Sequence, residues 1–493
     1  MQLSAQALQQ FDDTVQVPNY DRGDITVGIV HFGVGGFHRA HQAMYVDRLL
    51  RRGQARDWGI CGVGVLPGDR RMKDALDAQD GLYTLALRHP DGTWDVSVIG
   101  SIVDYLLAPD DPEAVIEKIA AETTRIVSLT ITEGGYNFTH DTGEFDAENP
   151  DVVHDLTDGA VPRTTFGLVV EALSRRRARG LPSPTIMSCD NIQGNGDVAR
   201  RMFLAYAELK DPDLAEWMRA ETSFPNSMVD RITPVTTPEV TEALSSRFGV
   251  DDRWPVAAEP FTSWVLEDAF PLGRPAFEDV GVQVVDDVEP YELMKLRLLN
   301  ASHQGLCYFG YLAGYRLVHD VAQDPLFADF LLAYMDDEAT PTLAPVPGVD
   351  LDEFKRTLIE RFSNPEIRDT VARLCAESSD RIPKWLLPVI RENLLADRHI
   401  RLSAAIVASW ARYAEGVDED GQPIDVVDQL KDSLVPIARS QHENPTAFIE
   451  NRSVFGDLAD NPRFVTAYLW ALDSLHGVGA RKTLEALREK VQS

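Results

Sequence analysis

Apolar positions along the chain follow two rhythms, and the change falls near residue 290. Before it, short continuous apolar runs bounded by glycine or charge alternate with longer stretches of helical spacing. Residues 24–32 (DITVGIVHF), 58–65 (WGICGVGV), 125–131 (RIVSLTI) and 184–188 (PTIMS) each predict a strand buried on both faces. Between them, residues 112–122, 163–179 and NGDVARRMFLAYAEL predict helices. Buried strands alternating with helices predict a doubly wound parallel sheet of Rossmann type. Residues 83–89 and 94–99, across the turn Pro90-Asp91-Gly92, predict a hairpin, an antiparallel addition to that sheet. Beyond Pro290, helical patterns cover 351–362, 365–375, 388–396, 401–413, 425–430, 462–475 and 480–491. The expectation is an α/β protein with a dinucleotide-binding domain over 1–286 and a mostly α-helical domain over 287–493.

One helical stretch carries polar groups out of keeping with its apolar content. Residues 291–314 (YELMKLRLLNASHQGLCYFGYLAG) have leucine and phenylalanine at helical spacing and no proline. With Lys295 at zero on a regular helix, Glu292 falls at about 60°, His303 at about 80° and Asn300 at about 140°. All four share one side. A desolvated lysine there can serve as a base. An amide and an imidazole beside it can hold an oxygen whose charge changes during reaction. The competing reading of the same spacing is a solvated stripe at a helix end.

In the first half, chemistry is expected at the carboxyl ends of the strands, where open α/β sheets bind ligands. Gly33, Gly35 and Gly36 follow the first strand and open a helix, the setting in which a glycine turn admits a pyrophosphate. His38 stands where the third glycine of the strict motif would be. Asp69 follows the second strand and is the candidate for the adenosine ribose, which favours NAD. Arg70 and Arg71 beside it keep NADP open. Glu133 in TEGGY and Asn191 in CDN reach the same edge from later strands. Further on, Val229-Asp230-Arg231 pairs an acid and a base that an ordinary ion pair would also explain.

Composition narrows the class of partner. The chain has 47 Lys and Arg against 78 Asp and Glu, a formal net charge of −31. That argues against nucleic acid and anionic membranes, and weakly favours a neutral small molecule. Four scattered cysteines without C-x-x-C spacing suit a reducing cytoplasm rather than a zinc or disulfide frame. The first residues show no basic start followed by an apolar run, so no export signal is expected.

Three separate stretches, IVHFGVGGFHRAH, SFPNSMVDRITP and KLRLLNASH, together resemble the long-chain polyol-specific dehydrogenases and reductases. Within that family the likeness leans to its bacterial mannitol-oxidising branch. V-D-R-I-T-P and K-x-x-x-x-N-x-x-H are specific to the family. The resemblance implies Lys295 as general base, Asn191 and Asn300 holding the reacting oxygen, His303 orienting the sugar, and Glu292 passing the proton towards solvent. It implies Asp230 and Arg373 on further hydroxyls. Gly33, Gly35, Gly36, Phe37 and His38 would line the cofactor pyrophosphate, with Asp69 and Arg70 at the ribose and Glu133 and Asn191 near the nicotinamide. In SSDRIPKW, Lys384 is retained, but Arg381 stands where close relatives carry lysine; the two cations are not interchangeable at a tight site. The implied activity is reversible NAD-dependent oxidation of D-mannitol to D-fructose, with D-arabinitol a second substrate. It is metal-independent, cytoplasmic and monomeric. The rivals are a hexuronate reductase, a D-arabinitol 4-dehydrogenase, and a nucleotide-sensing protein that kept the fold without the reaction.

Overall fold

The computed structural model describes residues 1–139 and 143–491, and the chain divides into two compact units, Met1–Glu289 and Pro290–Ser493. The first is organised by five parallel strands: β1 (Val27–Phe32), β2 (Gly59–Gly64), β3 (Ile102–Leu107), β4 (Ile126–Leu129) and β5 (Thr185–Ser188). Their order across the sheet is β3-β2-β1-β4-β5. Register aligns Ile29 with Ile60 on one side and Ile126 on the other.

Successive side chains of a strand point to opposite faces, and here both faces are core. Ile29, Ile60, Ile126 and Met187 pack with Met44, Val46 and Leu49 of the helix Gln42–Arg51. Val30, Cys61, Val127 and Ile186 pack on the other face, with Val115 and Ile119 of Pro112–Ala120 and with Leu168 and Leu173 of Thr165–Ala178. The continuous apolar runs therefore report double-sided burial. β3 has only Ile102, Tyr105 and Leu107 buried, the alternation of an edge strand, and the apolar-run criterion passes over it.

The hairpin forms in the expected register, Tyr83 opposite Ile99 through Arg88 opposite Trp94. It does not extend the parallel sheet. It is the middle of a separate four-stranded sheet, flanked by Val15–Gln16 and Val256–Ala258. Ser227–Asp230, Ser263–Glu267 and Gln283–Val285 make a third sheet.

The second unit is built of helices. Leu351–Phe362 and Arg401–Ala414 form as the periodicity predicts. Residues 365–375 shorten to the helix Val371–Cys375. Residues 425–430 stay irregular, because Asp428 accepts from the backbone N–H groups of Ser379 and Leu430 and from the Ser379 hydroxyl. A side chain offering such bonds competes with the helix, and the next helix starts only at Lys431. Gly479, at φ +85°, breaks the stretch Pro462–Val491 where the expected gap between two helices falls.

The stretch 291–314 is not one regular helix. Glu289–Met294 and Ala301–Leu312 are α-helical, but Lys295–Asn300 is a π-helical turn, with the Ala301 N–H donating to Leu296 O. Such i→i+5 bonding widens the turn and lowers the rotation per residue below the ~100° of an α-helix.

Candidate active site

The first unit carries a candidate cofactor surface made mainly of backbone. Gly33, directly after β1, has φ +89°, and a Cβ there would lie 2.1 Å from the Thr130 carbonyl oxygen. No other residue fits between β1 and the end of β4. Gly35 caps the short helix Gly36–Ala40, which turns at His41 into Gln42–Arg51. A Cβ at Gly35 would meet nothing closer than Gly33 O at 3.9 Å, so the outer surface of the turn is open. Gly35 is exposed, and Gly33, Gly36 and Phe37 are half-buried, as a cradle for a pyrophosphate requires.

His38 does not belong to that surface. It is wholly buried and stacks on His31, ring centroids 3.4 Å apart. His31 in turn bonds Ser128 Oγ at 2.8 Å and Thr130 Oγ1 at 2.9 Å. Burial lowers the pKa of both rings, that of His31 to about 3, so both are neutral. Where the motif has its third glycine, this chain buries the His38 imidazole beneath the turn.

Asp69 sits at the carboxyl end of β2. Its Oδ2 accepts from both Val65 and Leu66 N–H, each at 2.9 Å, so the carboxylate shapes the turn it belongs to. Arg70 is exposed and ion-paired to Asp110.

The loops after β4 and β5 are joined by Asp190, a residue to which the motifs assign no role. Its carboxylate accepts from Ile131 N–H at 3.1 Å, Thr132 N–H at 2.8 Å and the Tyr136 hydroxyl at 2.8 Å. Burial raises its pKa to about 6, against these three bonds, which pull it down. Thr132 is held at φ +62°, unusual for a β-branched residue. Glu133 is half-buried beside this tie, and Asn191 follows it, exposed. Asp230, at the end of its strand, is buried. Arg231 turns away to backbone carbonyls, bonding Glu259 O at 2.8 Å and Ala40 O at 2.6 Å.

The second unit carries a candidate catalytic surface made of side chains. Lys295, Glu292 and Asn300 are 6, 9 and 4 % exposed, which excludes the solvated stripe. Lys295 and Asn300 are the first and last residues of the π turn. Five residues apart, they would diverge by about 140° on an α-helix; the wider turn brings them closer to one line. The Tyr334 hydroxyl donates to Arg297 O inside this turn at 3.2 Å. The Asn300 Nδ2 is buried with no hydrogen-bond partner among the described residues. Leaving such a donor empty costs ~1–3 kcal/mol, so its position fits an oxygen brought by a ligand. His303 is half-buried against Phe362, centroids 4.4 Å apart.

The three more distal cations are near one another in sequence but differently engaged. Arg373 grips Asp369 with Nε and Nη2. Arg381 donates to Leu374 O at 3.1 Å and lies over Trp385. Lys384 pairs with Asp380 at 2.6 Å.

A parallel sheet in this order, with a glycine turn after its central strand, defines the Rossmann class of dinucleotide-binding folds, here followed by a helical unit with a buried lysine. The mannitol dehydrogenase Rossmann domain matches residues 27–279, and the mannitol dehydrogenase C-terminal domain matches residues 287–476. The chain belongs to the mannitol dehydrogenase family. It is 47 % identical over 477 residues to a mannitol 2-dehydrogenase of Aspergillus fumigatus, covering 95 % of each chain, and 45 % identical to one of Aspergillus terreus, covering 97 % of each. Among solved structures it is similar to Pseudomonas fluorescens mannitol 2-dehydrogenase in ternary complex with NAD and D-mannitol (46 % identity, TM-score 0.90, 99 % of this chain and 100 % of that one). A substrate-free D-sorbitol dehydrogenase matches at 39 % identity with TM-score 0.91, over 98 % of this chain and 100 % of that one.

Proposed function

We propose that this chain is an NAD-dependent polyol dehydrogenase that oxidises D-mannitol to D-fructose reversibly, with D-arabinitol as a second substrate. The observation that carries the reading is the π turn that begins at buried Lys295 and ends at Asn300, whose Nδ2 is buried with no hydrogen-bond partner among the described residues. The near-full-length likeness to mannitol 2-dehydrogenases supports the choice of sugar.

NAD, when bound, supplies the acceptor for the hydride that leaves the carbinol carbon. Gly33, Gly35, Gly36 and Phe37 hold its pyrophosphate, Asp69 and Arg70 lie at the ribose, and Glu133 and Asn191 are near the nicotinamide. Residues 1–286 form the cofactor domain and 287–493 the catalytic one. Lys295 takes the hydroxyl proton as the alcohol becomes a ketone. Asn300 and Asn191 donate to the oxygen as its charge changes. His303 orients the sugar, and Glu292 relays the proton from Lys295 towards solvent. Asp230, Arg373, Arg381 and Lys384 meet the more distant hydroxyls.

A hexuronate reductase needs an uncommitted cation for its carboxylate. Arg373 and Lys384 each have an acidic partner and Arg381 is turned to a carbonyl, which favours a neutral polyol. Initial rates with mannitol, arabinitol, sorbitol and fructuronate, each with NAD or NADP as the direction requires, test the reading. Activity on the uronate alone defeats it, and so does cofactor binding without turnover of any polyol. We further propose a cytoplasmic monomer; no helix among the described residues is long and apolar enough to cross a membrane.

A further inference from the structure

Away from the π turn, the second unit brings together two histidines and a glutamate that the reaction does not use. Glu415 caps the C-terminal end of Arg401–Ala414, His442 ends the short turn Ser440–His442, and His476 lies on Pro462–Val491 ahead of the break at Gly479. One ligand atom of each lies within 4.8 Å of the others. His476 Nε2 is 2.7 Å from Glu415 Oε1, His442 Nε2 is 3.9 Å from Oε2, and the two imidazoles face each other with centroids 4.8 Å apart.

The surroundings hold this arrangement in place. Arg439 Nε donates to Glu415 O at 2.9 Å. Gln441, buried next to His442, donates to Ala438 O at 2.8 Å and accepts from the Tyr468 hydroxyl. All three segments are therefore cross-tied whether or not anything binds. Arg412 lies 3.2 Å from Glu415 Oε2, which leaves Oε1, on the His476 side, as the better ligand atom.

We propose that Glu415, His442 and His476 form a binding site for a divalent transition metal of the zinc type. Two imidazoles and a carboxylate suit zinc, nickel, copper or cobalt, whereas magnesium and calcium call for oxygen ligands. At metal–ligand distances of about 2.0–2.2 Å, tetrahedral ligand atoms sit ~3.3–3.5 Å apart, so small side-chain movements convert the present spacing. Three protein ligands leave a fourth position for water, which His442, 65 % exposed, keeps within reach of solvent. The net charge of −31 draws cations towards the chain. The metal clamps the end of one helix to another and takes no part in hydride transfer.

The test is calorimetric titration of Zn²⁺ into the full chain after chelator treatment, with the thermal midpoint followed in parallel. The expected result is one Zn²⁺ per chain with Kd on the order of 10⁻⁶ M or tighter, and a midpoint that rises with zinc as ligand linkage requires. His442→Ala, at an exposed position, and His476→Gln each weaken binding more than ~10-fold and remove the thermal shift, with polyol turnover unchanged. Magnesium produces neither effect. Absence of saturable zinc binding, or binding that survives both substitutions unchanged, overturns the proposal and leaves a plain histidine–glutamate hydrogen bond.

Discussion

The two units carry candidate surfaces made of different material. At the edge of the parallel sheet the surface is backbone: a glycine that tolerates no Cβ, a second glycine left open, and N–H groups fixed by the buried carboxylate of Asp190. Around the π turn it is side chains: an amine and an amide at its two ends and the Glu292 carboxylate on the helix before it, all buried. A dinucleotide is recognised mainly by shape and by oriented N–H dipoles, for which backbone suffices. Removing a proton from an alcohol takes a group that can change its own charge, and that only a side chain supplies. Substitutions in the two regions should therefore fail in different ways.

The sharpest contrast is Lys295→Ala. Turnover should fall by ~10²–10⁴-fold, the usual scale for a general base, while NADH binding and the thermal midpoint stay near those of the unaltered chain. Steady-state rates and a fluorescence titration of NADH measure both. Retention of more than about a tenth of the activity, under ~1.4 kcal/mol of barrier, removes Lys295 from the role of base.

Gly33→Ala inverts that pattern. The added methyl meets the Thr130 carbonyl at 2.1 Å at a φ of +89°, so the end of β1 has to move away from the end of β4. A loss of roughly 3 kcal/mol in denaturant stability is expected, together with loss of NADH binding. Normal stability with normal binding would mean that the approach of the two strands is not needed for the cradle.

Asp190→Asn probes the same edge through pH. The folded-state pKa is raised from 3.8 to about 6 by burial. Between those values the folded chain keeps a proton that the unfolded chain has released. The stabilising contribution is therefore full below about pH 4 and is lost as pH rises through about 6, a span worth roughly 3 kcal/mol. Stability of the unaltered chain relative to Asp190→Asn should fall across that window, measured by urea unfolding at pH 4, 5, 6 and 7. The variant also loses an acceptor for Ile131 or Thr132 N–H, at ~1–3 kcal/mol independent of pH. A difference that stays flat from pH 4 to 7 would contradict the raised pKa.

The smallest effect is expected at Asp69→Ala, where discrimination between NAD and NADP should relax by about tenfold, ~1.4 kcal/mol. Loss of the acceptor for Val65 and Leu66 N–H lowers stability slightly as well. An unchanged cofactor preference moves the ribose contact to another residue.

What the sequence made legible follows the same division. β1, β2, β4 and β5 could be read because both of their faces are core and their runs carry no charged residue. β3 could not, because Asp104 places a charge inside its run at the sheet edge. The stripe of Lys295, Asn300, Glu292 and His303 could be found, but its geometry could not, since a regular wheel has no place for a π turn. The burial of the His38 ring could not be read, because the glycine motif is read as surface, whereas the third position here faces His31 and the core. Asp190 carries no motif; it is visible only once β4 and β5 are seen to be neighbours.

The wide turn at residues 295–300 also gives this helix room to vary in length. Deleting a single residue within it would allow ordinary i→i+4 bonding to resume, and five residues at about 100° turn through nearly the same angle as six at about 82°, so everything from Ala301 onward would keep its facing relative to Glu292. Leu306, Phe309 and Leu312, all fully or almost fully buried, would then keep their present neighbours. Homologous chains that keep this packing are expected to tolerate loss of one residue between Lys295 and Asn300, but not of two, which would turn the buried side of the helix by about 100°.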